Sequence, residues 1–193
     1  NYANQTYSPP TVTVCAASGS GTQYEVGPGQ AYTSIGAVPW HTLKAGDAVR
    51  VHWRTEPYHE KLLIMGYGTA ENPITLCGVP GPNGELPIID GKDATTSVNQ
   101  HYLAWSPIED LGLVMVARSS DSGYYSRPSH VIIENLHLRG ANPTNQYTRA
   151  DGSTHTWSNG ASCIYVLAVD GLTIRNNIIT DCGNGVFTLS KDE

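Results

Sequence analysis

Several residue types in this 193-residue chain have spacings that bear on chemistry. The cysteines are Cys15, Cys77, Cys163 and Cys182. None sits in a CxxC pair, which argues against a zinc knuckle or a thioredoxin-like redox pair. Their even number and wide spacing suit two disulfides in an oxidising compartment. Four cysteines permit three pairings, and the sequence does not choose among them; we expect Cys163 with Cys182 and Cys15 with Cys77. His52 and His59 flank Trp53 and Arg54. On a strand His52 alternates outward and His59 lies beyond Pro57, a poor arrangement for a shared metal. His130 and His137 are seven residues apart, an odd spacing that an unbroken strand would place on opposite faces. Asp151, His155 and Ser158 have the residue types of a hydrolytic triad, without a GxSxG elbow to present a nucleophile. Tyr102, Trp105, Tyr124, Tyr125, Tyr147 and Trp157 lie in polar segments. Flat apolar rings with a polar edge suit sugars, so these six are the candidate carbohydrate-binding residues. The competing reading is that they fold back to cover the protein.

Those residues need a framework, and composition narrows it. The chain has 20 glycines and 12 prolines with only 15% charged residues, as expected of many turns and few surface helices. Eleven Lys and Arg against 17 Asp and Glu give a net charge of −6, which argues against a nucleic-acid partner. A polyanionic sugar would likewise need a bound cation to offset that charge locally. No apolar run approaches the length of a membrane span. Asn1 opens into a polar segment with no visible signal peptide, consistent with a processed form. Asn4-Gln5-Thr6 is an N-glycosylation sequon.

Residues 1–30 are rich in Ser, Gly, Thr and Pro and read as an extended arm, with a strand candidate at 11–15. Residues 34–38 suggest a short helix that Pro39 would end. Strands are expected at 48–53, 62–65, 74–77 and 88–90, separated by Gly- and Pro-rich turns. No amphipathic helix follows residue 43. A doubly wound α/β fold would require several, so a sandwich, a barrel or a β-solenoid remains.

Internal similarity selects the solenoid. Residues 131–135 (VIIEN) align with 172–176 (LTIRN), matching Ile133 to Ile174 and Asn135 to Asn176, 41 residues apart. Ile89 and Gly91 are placed in the same frame, 44 residues before Ile133 and Asn135. Residues 162–166 (SCIYV) align with 185–189 (GVFTL), matching Ile164 to Val186, 22 residues apart. A repeat of roughly 20–25 residues is one solenoid coil. The longer offsets imply polar insertions at 94–129 and 141–162. Asn135, Asn176 and Gly91 would form a bend that needs φ > 0, with stacked asparagines bonding from coil to coil.

Residues 42–51 (TLKAGDAVRV), 61–77 (KLLIMGYGTAENPITLC), 86–91 (LPIIDG), 130–139 (HVIIENLHLR) and 171–182 (GLTIRNNIITDC) resemble the opening coils of right-handed parallel β-helix polysaccharide lyases, of the pectate lyase-like and chondroitinase B-like kind. The resemblance runs from about residue 31 to the end. It implies an all-β fold, a right-handed parallel β-helix with a short N-terminal capping helix and long loop insertions. Residues 1–30 would be the arm and 31–193 the coils, incomplete at the C-terminus because such relatives continue for several coils. It also implies a secreted protein that acts on or binds extracellular polysaccharide. Self-assembly through open coil ends or the arm is a further expectation.

Elimination from a uronic-acid polymer needs a neutralised carboxylate, usually by calcium, and a basic group with a lowered pKa. The resemblance would place the first of these near the C-terminus: Lys191 as base, with Asp181, Asn184 and Asp192 as metal ligands. No Asp cluster with the in-line spacing of a preformed calcium site is present. The alternative is a non-catalytic structural or adhesive β-helix, such as a surface or fibre subunit.

Overall fold

The computed structural model describes residues 15–100, 107–123 and 126–189. Among them every regular element is a strand or a short 3-10 turn. The strands are β1 (Gln23–Val26), β2 (Ala48–His52), β3 (Glu60–Ile64), β4 (Ile74–Val79), β5 (Ile88–Asp90), β6 (Ala94–Thr96), β7 (Gly112–Val116), β8 (Ser129–Glu134), β9 (His137–Arg139), β10 (Gln146–Thr148), β11 (Thr154–Thr156), β12 (Ser162–Leu167), β13 (Asp170–Arg175), β14 (Ile178–Thr180) and β15 (Asn184–Leu189). They form three sheets. The first has the order β1-β2-β4-β8-β13, the second β14-β9-β5, and the third β11-β10-β6-β3-β7-β12-β15. Every pairing except β10 with β11 is parallel. From β4 onward the chain visits the first, second and third sheets in turn, three times over.

The aliphatic bursts build the core by register. Val49 lies opposite Leu76, Leu76 opposite Ile133, and Ile133 opposite Ile174. The first three are fully buried. Leu62, Val114, Ile164 and Val186 form a matching row in the third sheet. Both pairings inferred from sequence, Ile133 with Ile174 and Ile164 with Val186, are therefore cross-strand neighbours. Directly opposed charges add three cross-strand ion pairs: Arg50–Glu25 at 2.8 Å, Arg139–Asp90 at 2.7 Å and Arg175–Glu134 at 2.6 Å. Opposite charges in such pairs are worth roughly 0.2–1 kcal/mol each.

Several expectations are corrected. The capping helix is absent; two 3-10 turns, Ile35–Ala37 and Trp40–Thr42, take its place. Pro39 stands between them and interrupts any continuous helical ladder. The Glu60 carboxylate instead accepts hydrogen bonds from the Ile35 and Gly36 amides, at 3.1 and 2.6 Å. Residues 23–26 are the edge strand of the first sheet rather than arm; residues 1–14 lie outside the described residues. The supposed insertions contain sheet strands, and β7 (GLVMV) is buried along its whole length. Ile89 does not share a frame with Ile133: it pairs with Leu138 in the second sheet. Gly91 therefore sits beside Gly140, and the residue level with Asn135 is Gly78. A Cβ on Gly78 would run into the Asn135 carbonyl.

The disulfides are Cys15–Cys77 and Cys163–Cys182, with Cα separations of 6.4 and 5.6 Å. Such bonds persist in oxidising compartments. No helix among the described residues is long and apolar enough to cross a membrane.

Candidate functional site

The third sheet divides at β3. Residues 60 and 61 pair with β6, whereas Leu62–Ile64 pair with β7. Between β6 and β7 the described residues 97–100 and 107–111 lie outside the sheet. One turn later the chain leaves again between β10 and β12, over residues 149–161, with β11 folding back antiparallel on β10. Because β10 lies on β6 and β12 on β7, the second excursion starts and ends above the first.

Lys61 occupies this division. Its side chain is fully buried at 0% exposure. Nζ lies 3.8 Å from the Tyr147 ring centroid and 4.4 Å from that of Trp157, and donates to the Glu109 backbone carbonyl. Burial pushes its pKa down to about 7; the Glu109 and Asp110 carboxylates oppose the shift and Arg149 adds to it. The amine is thus about half neutral at neutral pH. Around it, Arg149 Nη2 donates to Asp110 Oδ1 at 2.5 Å, and the Tyr147 hydroxyl donates to the same oxygen. The Trp157 indole donates to the Gly91 carbonyl at 2.9 Å. Gln100 Oε1 accepts from the Leu63 amide at 2.6 Å. Thr96 Oγ1, Gln100 Nε2 and Glu109 Oε1 are buried without a partner among the described residues. Lys61, with these neighbours, ties β3 to both excursions. Glu109, Asp110 and Arg149 carry this cluster to the surface, all three partly exposed. A neutral amine is a proton acceptor, but the burial of Lys61 makes it a positioning group rather than one that meets a ligand.

The residues expected from sequence are placed differently. Tyr102, Trp105, Tyr124, Tyr125, Lys191 and Asp192 lie outside the described residues. Tyr147 and Trp157 are buried beneath the excursions, each holding a hydrogen bond and a face of the Lys61 cation, so neither ring is offered to a sugar. Asp181 takes φ +53° after β14 and accepts from Asn142 Nδ2 through both its backbone oxygen (2.9 Å) and Oδ1 (3.1 Å). Asn184 Nδ2 donates to the Gly160 carbonyl, away from Asp181. No group of three or more His, Cys, Asp or Glu able to hold a metal occurs among the described residues.

His52 Nε2 contacts Glu25 Oε2 at 2.5 Å, and His59 Nδ1 contacts the Lys92 carbonyl at 2.5 Å, so the two are engaged separately. Burial tends to raise the Glu25 pKa, but hydrogen bonds to His52 and Gln23 and the Arg50 charge together leave it lowered. His130 and His137 fall on different sheets because the chain bends at Asn135 between them. Burial, then Arg139, lowers the His137 pKa against the opposing Asp90. Asp151 and His155 converge on Ser153, not Ser158, at 2.5 and 3.0 Å. There the serine stands between acid and imidazole, the wrong order for a triad.

Sequence reasoning missed Lys61, Glu109, Asp110 and Arg149. One signal was present: Lys61 opens the aliphatic run KLLIM, where a charge needs buried partners. Comparison with family models, curated proteins and solved structures gives no match to this chain.

Proposed function

We propose that this chain is a right-handed parallel β-helix of polysaccharide lyase-like lineage that binds extracellular polysaccharide on the face made by its two stacked excursions. The single observation behind this reading is the division of the third sheet, in which β10 pairs with β6 and β12 with β7, so that the chain leaves and rejoins the sheet at neighbouring places in two successive turns. The first excursion carries Tyr102 and Trp105 in its sequence, ring types suited to sugars. Three successive circuits through the sheets support the β-helix, and the two disulfides support an extracellular setting. Arg149 and Asp110 supply a donor and an acceptor at the surface of the same cluster.

Affinity electrophoresis in gels containing pectate, alginate or chondroitin tests the reading. Retardation by at least one polymer is expected, with loss of retardation in Trp105→Ala and Tyr102→Ala. Free migration in all of them would overturn it. Unsaturated-uronate absorbance in the same mixtures, with calcium added, would mark an active lyase, with Lys191 as the first residue to replace.

A second reading, a structural or adhesive β-helix, is favoured by a separate observation. Among the described residues β13, β14 and β15 each end their sheet, and Ile178 and Val186 are 48% and 42% exposed. Unpaired strand edges of this kind recruit further strands. Sedimentation velocity separates the readings: assembly that strengthens with concentration supports the second, and a monomer throughout speaks against it.

A further inference from the structure

We infer a second binding site, for a neutral oligosaccharide, in a groove on the first sheet opposite its core-facing row. Val49, Leu76, Ile133 and Ile174 face the core, so alternation turns Cys77, Glu134 and Arg175 to the other side. There the Cys15–Cys77 disulfide fixes residues 15–18 as one wall. Two hollows of about 250 and 200 Å³ lie along this face and share Pro73 and Ile132. Together they run from His130 to Glu134 on β8, about 13 Å at roughly 3.3 Å per residue. That length suits a short oligosaccharide.

The lining is a sugar site in chemical terms. Pro73 and Ile132 give an apolar floor against which a pyranose C–H face packs. At one end Arg175 is 51% exposed and is held through Nε by the Glu134 carboxylate, itself 3% exposed. Neither Nη nitrogen of Arg175 has a hydrogen bond within the described residues. A guanidinium fixed at Nε presents its Nη edge as a fork for adjacent hydroxyls. Ser18 Oγ, buried and without a partner among the described residues, lines the same hollow. At the other end stands His130, in the left-handed region at φ +47°, with its ring against Gly171. A Cβ on Gly171 would come within 2.9 Å of His130 Nδ1, so glycine there leaves the imidazole its place.

Charge selects a neutral ligand. Glu134 already balances Arg175, and an incoming carboxylate on the Nη edge would meet that buried like charge. Hydroxyl groups carry no such penalty. This groove stands on different residues and a different sheet from the excursion face, so the two sites fail or succeed independently.

Isothermal titration of the whole chain with cellobiose, xylobiose and mannobiose, and with digalacturonate as the acidic counterpart, tests the inference. At least one neutral disaccharide should bind with a millimolar Kd. Arg175→Lys keeps a charge for Glu134 but removes the fork, and should weaken that binding tenfold or more. Ser18→Val should weaken it as well. Three results would each overturn the site: no neutral disaccharide binding, binding indifferent to both Arg175→Lys and Ser18→Val, or tighter binding of digalacturonate.

Discussion

The Lys61 ammonium group lies 3.8 Å from the centre of the Tyr147 ring, a contact between two turns of the chain that places a titratable amine inside the core. Cation–π attraction to Tyr147 and Trp157 is worth about 2 kcal/mol when desolvated. Removing an ammonium from water costs several kcal/mol. The balance leaves the charged form disfavoured, which is the physical content of a pKa near 7.

Stability should therefore rise with pH above neutrality. The folded Lys61 loses its proton near pH 7, whereas the unfolded one keeps it to about 10.5. Between those values the unfolded chain binds more protons, so raising the pH favours the fold. Burial raises Tyr24, Tyr58 and Tyr165, and these act the other way only above about pH 10. Thermal unfolding from pH 7.5 to 9.5 should show an increasing Tm in the native chain and a flatter profile in Lys61→Met. Parallel profiles would mean that Lys61 is not buried as described.

Both disulfides should be complete in native material. Alkylation without reductant, read by mass spectrometry, should label none of the four cysteines. The Cys163–Cys182 bond closes a separation of 19 residues, for which chain entropy gives about 3 kcal/mol. The double replacement Cys163→Ser with Cys182→Ser should lower unfolding free energy by about that much in urea. Labelled thiols in native protein would contradict the pairing.

Much of the fold was legible because parallel stacking copies a sequence pattern into space. Ile133 and Ile174, and Ile164 and Val186, occupy equivalent places in successive circuits, and similar surroundings select similar residues. Ile89 misled because an aliphatic pair before Asp-Gly looks alike on any of the three sheets; only its partner Leu138 identifies the second. β7 was hidden for another reason: its residues 112–116 follow a long polar excursion, which made the whole stretch read as an insertion. The Lys61 cluster was least legible. Its members come from residues 61, 109, 110, 147, 149 and 157, and no local spacing records that the sheet divides between β6 and β7. The stacked asparagines were half right. Asn135 and Asn176 do take φ +58° and +54°, and the side chain of Asn177, next to Asn176, bonds to Ile133 and Leu136 of the previous circuit.

Gly78 is the place where one methyl group should be felt most. It lies level with Asn135, and a Cβ would strike both the Asn135 carbonyl and the ring of Pro87. Backbone on one side leaves no side chain free to yield. Overpacking of this kind typically costs about 1–3 kcal/mol. Gly78→Ala should lower the urea midpoint accordingly, whereas Gly84→Ala, with nothing within 4 Å of the added carbon, should lose only what its φ of +86° demands.

The bend after β13 sets the last test. Asn176 adopts φ +54°, where glycine and asparagine are tolerated and β-branched residues are not. The next residue, Asn177, accepts from the Leu136 amide at 3.0 Å and donates to the Ile133 carbonyl at 2.8 Å, so the bend delivers a side chain that joins two circuits. Asn176→Val should strain the bend and pull Asn177 from its partners, destabilising the chain by about 1–2 kcal/mol. Asn176→Gly accepts the same φ and should cost far less, at most the extra entropy of the unfolded glycine. Urea titrations of the two variants side by side distinguish backbone strain from side-chain loss. Equal midpoints for Val and Gly would show that the left-handed conformation at residue 176 does not hold this turn.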